Sequence, residues 1–412
     1  MSSDPFRALG GVKVLDLSRV LAGPWCTQIL GDFGADVLKI ELPGRGDDTR
    51  AWGPPFVASP DDPDALGESA YYLSANRNKR SVAIDLAHPE GRAMILRLAA
   101  EADIVVENFK VGGLAKYGLD YPALAAINPR LVYCSITGFG QTGPYADRAG
   151  YDFVAQAMGG FMSITGEADG PPLRAGVASC DLATGMYAAV SIMMALRHAE
   201  ATGIGQHIDV ALLDTQVAML ANQSLNWLAG GVTPRRMGNR HPTIVPYTTF
   251  DAADGTIVIA VGNDGQFRSL CAELGVVELG TDPRFATSHA RVANRDAIEG
   301  EIQALVGVLD GGALIERLTA RGVPAGPVNS IPQVFADPVI AARGTVYNFE
   351  RDDGVTIPSV AFPAKLSATP ADYRAPPPFL GQHTREALHD WLALDTAALD
   401  HLVAAGVIAQ RD

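Results

Sequence analysis

Apolar, strand-like runs alternate with helix-like segments between residues 12 and 139, and this order restricts the fold more than any other feature of the chain. Val12–Ser18 reads as a buried strand, and Pro24 stands where the first turn of a helix that runs to Phe33 begins. Further strands are predicted at 37–41, 81–86, 103–109 and 131–139, with helices between them. Helices that join parallel strands produce this rhythm, so the sequence predicts an α/β fold with a Rossmann-like large domain.

A second, mixed pattern follows Trp227. Tyr247–Phe250, a turn at 251–255 and Thr256–Val261 predict a β-hairpin, and amphipathic helical stretches come after it. The Pro- and Gly-rich run at 322–332 is predicted to be a return linker. We therefore expect a large domain at 1–224, a smaller α+β domain at 225–325, and a segment at 326–412 that completes the large domain.

Charge and cysteine content limit the partners of the chain. The formal net charge of -14 argues against nucleic acid and anionic membranes, which both attract basic patches. The longest apolar stretch, Met186–Leu196, is shorter than the ~20 residues of a membrane-spanning helix. The four cysteines are far apart in sequence and form no CxxC pair, so we expect no metal site, no disulfide framework and a cytoplasmic location.

Asp181 stands directly before the most apolar segment of the chain. Leu182–Leu196 is apolar nearly all round, so we expect a buried helix that Gly203 and Gly205 end. Aspartate is a preferred N-cap residue, and a purely structural cap is one interpretation of Asp181. The other is a carboxylate nucleophile, because the glycines and prolines at 170–176 suggest a turn that lines a cleft. The helix end favours the ionised carboxylate, whereas burial disfavours it.

Nine separated blocks, in the same order, resemble those of the class III CoA-transferases, the superfamily of formyl-CoA transferase, carnitine-CoA transferase and α-methylacyl-CoA racemase. The blocks are GVKVLDLSRVLAGPWCTQILGDFGADVLKIE, NKRSVAIDL, ADIVVENF, SITGFGQTGPY, DLATGMYAA, TGIGQHIDVALLD, GNRHPTIVPY, RGVPAGPVNS and PPPFLGQHT. In that family an aspartate, here Asp181, forms an anhydride and then an aspartyl-CoA thioester. The resemblance also implies an interlocked homodimer that uses acyl-CoA and a carboxylic acid as substrates.

The same resemblance implies that CoA binds over the large domain as a thioester substrate, with no permanently bound cofactor. The residues that match CoA-contacting or channel-lining positions are Arg19, Val20, Leu21, Ala22, Lys79, Asn108, Phe109, Lys116, Thr137 and Phe139. Lys79, together with Arg80, is equally readable as a solvated surface charge.

On the acyl side, the resemblance implies roles in substrate contact or gating for Gly140, Gly238 and His241. A lone histidine such as His241 is also commonly structural. The chain differs from the formyl-specific member at 19, 21, 139 and 140, so we do not expect formyl transfer. The later blocks look most like members that use succinyl-CoA with dicarboxylic acceptors. Arg235, Arg236 and Arg240 supply the countercharge or belong to a solvated loop; the sequence leaves both possibilities open.

Three other functions compete with this interpretation. A racemase of the same superfamily carries a histidine in the block that reads AGYDFV here, and this chain has Tyr151 at that position. A nucleotide-dependent oxidoreductase on a Rossmann core requires GxGxxG after the first strand, which Leu17–Pro24 does not contain. A catalytically silent CoA-binding protein stays open. The sequence therefore favours a CoA-transferase.

Overall fold

The computed structural model describes residues 7–58 and 67–411, and the α/β prediction is confirmed there. Residues 1–6, 59–66 and 412, which belong to the predicted segments 1–224 and 326–412, lie outside the described part. The strands are β1 (Lys13–Asp16), β2 (Asp36–Glu41), β3 (Phe56–Val57), β4 (Glu68–Ser69), β5 (Lys79–Ile84), β6 (Ile104–Glu107), β7 (Val132–Thr137), β8 (Gln206–Ala211), β9 (Tyr247–Ala252), β10 (Gly255–Ala260), β11 (Ala325–Pro327), β12 (Val346–Glu350), β13 (Thr356–Val360) and β14 (Ile408–Ala409).

The α-helices follow the same chain order. They are α1 (Ala22–Asp32), α2 (Ala70–Ser74), α3 (Pro89–Glu101), α4 (Tyr121–Ile127), α5 (Asp152–Met158), α6 (Phe161–Ile164), α7 (Ser179–Thr202), α8 (Leu212–Ala218), α9 (Asn222–Leu228), α10 (Asp264–Glu273), α11 (Ser288–Ala293), α12 (Arg295–Val306), α13 (Gly311–Ala320), α14 (Ile331–Ala336), α15 (Pro338–Ala342), α16 (Thr384–Leu392) and α17 (Thr396–Ala404).

A seven-stranded sheet forms the centre of the first compact unit. Its order is β14-β5-β2-β1-β6-β7-β8, and every pair is parallel except β14 with β5. The strands carry apolar side chains on both faces of the sheet, because both faces are covered by helices. One core includes residues of α3, α16 and α17, and the other includes residues of α1 and α7.

Helix α7 is longer than the apolar run predicted, and it crosses the core of this unit. It spans 24 residues and ends at Gly203, as expected, in a left-handed conformation with φ of 74°. By length and composition it is able to cross a membrane, so the sequence argument that counted only 186–196 is wrong. Half of its most apolar 18-residue window is buried inside the protein. A Cβ at Gly185 would lie 2.6 Å from the carbonyl oxygen of Ala22, so this glycine lets α7 approach α1 closely.

The second compact unit is an antiparallel sheet of order β11-β10-β9 packed with helices. The predicted hairpin is present as β9 and β10, and their apolar side chains form one core with α10, α12 and α13. By contacts this unit comprises 162–174 and 225–341, whereas the sequence placed it at 225–325. Part of the predicted linker, Ala325–Pro327, pairs with β10 as an edge strand, which is why the unit continues past residue 325.

Candidate active site

The strand order locates a ligand site in the first unit. The parallel strands run β5-β2-β1-β6-β7-β8, and chain connections leave in opposite directions from β1 and β6. In such sheets a crevice opens at the carboxyl ends of the two strands where the order reverses. The segments that follow β1 and β6 contain Arg19–Ala22 and Asn108–Phe109, so the fold brings these predicted residues to one place.

Side-chain and backbone contacts fix this meeting point. The amide oxygen of Asn108 accepts the N–H of Arg19 at 2.9 Å, and its amide nitrogen donates to the carbonyl oxygen of Arg19 at 2.6 Å. The guanidinium of Arg19 lies 5.3 Å from the ring centroid of Phe109 and 3.4 Å from the carboxylate of Asp48. Asn108 therefore bonds both the N–H and the carbonyl oxygen of Arg19, and the next residues of the turn, Val20 and Leu21, line the crevice.

A cavity of about 210 Å³ opens beside this turn and includes Asp181. Its wall combines the turn after β1, the segment after β6, the end of β7 and the start of α7. The described lining residues are Arg19, Val20, Leu21, Ala22, Asp48, Asn108, Phe109, Lys110, Val111, Ile136, Thr137, Gly138, Ala146, Arg148, Ala149, Gly150, Tyr151, Asp181 and Leu212. Most of the predicted CoA-contacting residues and the predicted nucleophile thus line one cavity.

Asp181 is not the N-cap of α7, which corrects the prediction. The helix begins at Ser179, so Asp181 lies within its first turn. Another carboxylate accepts hydrogen bonds from the N–H groups of that turn: Asp152 accepts the N–H of Cys180 at 2.8 Å and the N–H of Asp181 at 3.2 Å. Asp152 also accepts a bond from the amide of Gln156 at 2.6 Å. The side chain of Asp181 is thereby released from capping and lines the cavity.

The pKa of Asp181 is raised to about 7, first by burial and second by the negative charge of Asp152. Of the two opposing effects weighed from the sequence, burial is the stronger, and the like charge of Asp152 adds to it. Near neutral pH the ionised and protonated forms are both populated. Burial, and then Asp152, also raises the pKa of the neighbouring Cys180 thiol to about 12, and its sulfur donates to the carbonyl of Leu212 at 3.1 Å. A thiol with so high a pKa is almost entirely protonated near neutral pH and is not a nucleophile there.

Lys79 is not at the cavity wall, and it is not a surface charge either. Its ammonium is fully buried and bonds to the carboxylate of Asp16 at 3.2 Å, the carbonyl of Pro24 at 2.9 Å and the amide of Asn76 at 3.0 Å. Arg80 pairs with Asp36 and Asp390. The buried ammonium of Lys79 instead joins β5 to the first turn of α1, behind the crevice.

A second cavity, of about 310 Å³, shares Arg19, Asp48 and Phe109 with the first. Arg45 and Tyr117 also line it, together with apolar residues at the ends of β1, β2 and β5. Lys116 is exposed beside it, with its ammonium 4.6 Å from the ring centroid of Tyr117. The two cavities share part of their wall, and their charged lining is mixed: Arg19, Arg45, Lys110 and Arg148 are accompanied by acidic side chains, among them Asp48 and Asp85.

The end of β7 places Thr137, Phe139 and Gly140 near the first cavity. Thr137 lines it, and its hydroxyl accepts the N–H of Gly140 at 3.0 Å. Phe139 packs edge-on against Tyr145, 5.7 Å between ring centroids, and is not part of the wall. A Cβ at Gly138 would lie 2.5 Å from the Cα of Gly150, so close backbone approach explains both glycines in the cavity wall.

Gly238 and His241 lie in the second unit. Gly238 has φ of 61° and donates its N–H to the carbonyl of Gly166 at 2.9 Å. His241 accepts the N–H of Thr243 on Nδ1 at 3.2 Å, and its ring lies 5.2 Å from that of Tyr247. Burial and the charge of Arg295 lower the pKa of His241. Their functional roles stay predictions.

The three arginines proposed as countercharges have different environments. Arg240 pairs with Glu299 at 2.9 Å and Asp296 at 3.2 Å, so its charge is already compensated. Arg236 donates to the carbonyl of Glu167. Arg235 is exposed and makes no ion pair within the described residues.

Sequence reasoning missed two residues of this site. Asp152 supports the start of α7, and Arg148 adds a positive charge to the cavity wall, where its guanidinium lies 3.7 Å from the ring centroid of Tyr145. The signal for Asp152 was its place next to Tyr151 in AGYDFV. It acts on residues 28 and 29 positions later, however, so no local pattern reveals it.

Comparison with known proteins extends the description. The profile of CoA-transferase family III matches residues 9–384. A succinate–glutarate CoA-transferase of Agrobacterium fabrum (strain C58) is 52% identical over 390 residues, covering 95% of this chain and 97% of that protein. A human succinyl-CoA:glutarate CoA-transferase is 45% identical over 415 residues, covering 98% and 91%. The crystal structure of a CAIB/BAIF family protein from Brucella suis superimposes with a TM-score of 0.83 at 49% identity, covering 93% of this chain and 99% of that one.

Proposed function

Because this chain belongs to CoA-transferase family III, we propose that it transfers CoA from succinyl-CoA to a second dicarboxylic acid, through covalent intermediates on Asp181. The observation that carries the proposal is the position of Asp181: its carboxyl lines the cavity at the carboxyl ends of β1 and β6, together with Arg19–Ala22 and Asn108.

The substrate class rests on the relatives. The proteins from Agrobacterium fabrum and from human are both named for CoA transfer between succinate and glutarate, and a relative of Haloarcula hispanica is named succinyl-CoA:mesaconate CoA-transferase at 40% identity. All of these acids carry a second carboxylate. At the cavity wall Arg148 supplies positive charge that suits anionic substrates, whereas the charge of Arg19 is shared with Asp48. Glutarate is therefore the first acceptor to test.

The chemistry divides into two exchanges. An oxygen of the Asp181 carboxylate attacks the thioester carbonyl of succinyl-CoA, the C–S bond breaks, and the CoA thiolate leaves an acyl-aspartyl anhydride. The thiolate then attacks the aspartyl carbonyl, and succinate departs with that oxygen, leaving an aspartyl-CoA thioester. Glutarate attacks this thioester, again releasing the thiolate and forming an anhydride. Attack of the thiolate on the glutaryl carbonyl gives glutaryl-CoA and restores the carboxylate of Asp181.

CoA would extend along the two adjoining cavities. In this arrangement the acyl thioester lies in the cavity with Asp181, the pantetheine follows the turn Arg19–Ala22, and the nucleotide end occupies the larger cavity. Arg45 lines that cavity with its guanidinium paired to Asp48 at 2.6 Å, and the exposed ammonium of Lys116 beside it is the positive charge that phosphate groups would meet. Only the ionised form of Asp181 attacks, so its pKa of about 7 makes the first exchange depend on pH near neutrality.

The experiment traps the intermediate. Wild-type protein is incubated with succinyl-CoA, treated with hydroxylamine and digested, and the peptides are mapped by mass spectrometry. We expect a hydroxamate on Asp181 and on no other carboxylate, and we expect it to be lost in Asp181→Ala, which must stay folded by circular dichroism. Exchange of the α-proton for deuterium without acceptor acid, and no trapped adduct, would instead identify the racemase. Absence of both, with CoA bound, would identify a silent binding protein.

We also propose the interlocked homodimer. In the first unit the face of α7 that carries Met186, Val190 and Met194 is exposed in the single chain. Beside it a cavity of about 850 Å³ is lined by Trp25, Ile29 and Phe362 among others. Large exposed apolar surfaces of this kind mark interaction sites. Light scattering after size exclusion tests the proposal: we expect twice the chain mass down to nanomolar concentration, and a monomer there would contradict it.

A further inference from the structure

Val20 adopts a backbone conformation that its side chain disfavours. Its φ is 71°, in the left-handed region, where a non-glycine residue is uncommon and a β-branched one is an outlier. Val20 is the second residue of the turn Arg19–Ala22 and lines the cavity that contains Asp181. A contact outside the turn must therefore compensate for the conformation.

Asp47 makes that contact. Both of its carboxylate oxygens accept the N–H of Val20, at 3.3 and 3.2 Å. The side chain of Asp47 is fully buried and lies in the loop after β2. A neighbouring group secures the other side of the turn, because the ammonium of Lys39 donates to the carbonyl of Ser18 at 3.0 Å. Asp47 and Lys39 thus bond two backbone groups of the segment in which Val20 takes its positive φ.

Asp47 itself has no freedom to move. Its carboxylate pairs with the buried ammonium of Lys39 at 2.8 Å and accepts the N–H of Thr49 at 3.0 Å and its hydroxyl at 2.8 Å. The N–H of Asp47 donates to Glu41 at 2.9 Å. Burial alone would raise the pKa of Asp47, but Lys39 and the bonds from Thr49 outweigh it and lower the pKa to about 2. The acceptor is therefore ionised throughout the neutral range.

We propose that Asp47 is a positioning residue for CoA transfer: its carboxylate holds Val20 in the left-handed conformation that gives the substrate cavity its shape beside Asp181. The inference rests on the proposed function, because it assumes that the acyl thioester reacts in that cavity. Asp47 does not contact the reacting atoms, and it contributes to kcat/KM through the strained turn that it supports. An uncharged amide at 47 would have one acceptor oxygen, already used by Thr49, and would turn N–H groups toward Lys39 and Val20.

The test compares Asp47→Asn in two backgrounds, one with the native Val20 and one that carries Val20→Gly. Glycine adopts positive φ without penalty, so it no longer requires Asp47 to hold it. In the native background we expect Asp47→Asn to lower kcat/KM for succinyl-CoA and glutarate by about 5- to 30-fold, the penalty of releasing one left-handed residue. In the Val20→Gly background the same substitution should lower kcat/KM by less than about 3-fold, since that penalty is absent. An equal loss in both backgrounds would overturn the proposal.

Glu41→Gln is the matched control. It removes a charge from the same buried cluster, next to Asp47, but Glu41 makes no bond to Val20. Its effect on kcat/KM should be the same in the native and the Val20→Gly backgrounds. If Val20→Gly reduced the effect of Glu41→Gln on kcat/KM as strongly as it reduces that of Asp47→Asn, the effect of glycine would not be specific to Asp47. This result too would overturn the proposal.

A second measurement holds even where Asp47→Asn does not fold. Glycine normally destabilises a protein relative to alanine, but at a positive φ the order reverses. Val20→Gly should therefore unfold at a higher temperature than Val20→Ala, and the opposite order would refute a left-handed Val20. The wild-type protein distinguishes failure of the proposed function from failure of the Asp47 proposal. If it shows neither CoA transfer nor a hydroxamate on Asp181, the proposed function fails. If it shows both, the comparison of the two backgrounds tests the role of Asp47 alone.

Discussion

Asp181→Asn should abolish CoA transfer and at the same time stabilise the protein, increasingly so as pH rises. The carboxyl has a pKa of about 7 in the folded chain and 3.8 as the reference value for the unfolded one. A raised pKa means that the folded state holds the proton more tightly. Stability is therefore lost as pH rises from the unfolded value to the folded value, and the loss is complete above about 7.

The size of the effect follows from the shift. A difference of about three pKa units corresponds to about 4 kcal/mol. Because the Asp181 side chain is only partly buried, water screens its charge, and we expect about 2–4 kcal/mol at pH 8. Below about pH 4 the carboxyl is increasingly protonated in both states, and the gain of the amide variant should vanish. Asparagine has nearly the same shape, so packing differences contribute little.

Thermal unfolding of both proteins, at equal concentration between pH 4 and 8, measures the difference. The unfolding temperature of Asp181→Asn should exceed that of the wild type by a margin that widens up to about pH 7 and then stays constant. Asp400→Asn is the control, because it removes a charge from an exposed aspartate that pairs with Arg385 and does not line the cavity; a margin that widens equally in this variant would show that the trend is not specific to Asp181. A constant or shrinking margin for Asp181→Asn would refute the reasoning that burial and Asp152 raise the pKa.

Three further predictions concern neighbouring residues. Asp152→Asn removes the like charge near Asp181, so the pKa of Asp181 should fall and the acid limb of the kcat/KM–pH profile should move to lower pH; an unmoved limb would contradict this. Lys79→Met removes the ion-pair partner of the buried Asp16, which keeps only the charge of Lys39 and the bonds from Ser18 and Thr27. The substitution should reduce the free energy of unfolding by about 3–5 kcal/mol while the KM for acyl-CoA stays the same; a raised KM with unchanged stability would restore a direct CoA contact. Lys116→Ala should raise the KM for acyl-CoA in low salt and less so in high salt, since its exposed charge is screened; no salt dependence would argue against a phosphate contact.

The sequence predicted those parts of the fold whose signal is local. Strands β1, β2, β5, β6 and β7 coincide with the predicted apolar runs, because strands buried on both faces require such runs. Strand β8 was not predicted, since QHIDVA at the sheet edge buries only its last two residues and has no apolar run. Strand β14 has two residues and is defined by its pairing with β5, a contact between distant parts of the chain.

The residues of the active site were also predicted only in part. The resemblance located Asp181 and the turn Arg19–Ala22, and the structure brings them to one cavity. It did not reveal that Asp152 replaces Asp181 as the acceptor for the first N–H groups of α7, because a tertiary contact overrides the local capping preference. Lys79 shows the reverse error: a matching basic residue pointed to a ligand, whereas its ammonium is used in a buried ion pair. The interlocked dimer and the cytoplasmic location stay predictions.

The central claim, a covalent cycle on Asp181, has a direct isotopic test. In the proposed steps an oxygen of Asp181 leaves with succinate, and an oxygen of the acceptor acid replaces it when glutaryl-CoA forms. Turnover of succinyl-CoA with glutarate labelled by oxygen-18 in its carboxylates should therefore deposit heavy oxygen in the peptide that contains Asp181, detected by mass spectrometry after digestion. Continued transfer to labelled glutarate with no heavy oxygen in that peptide would contradict the account.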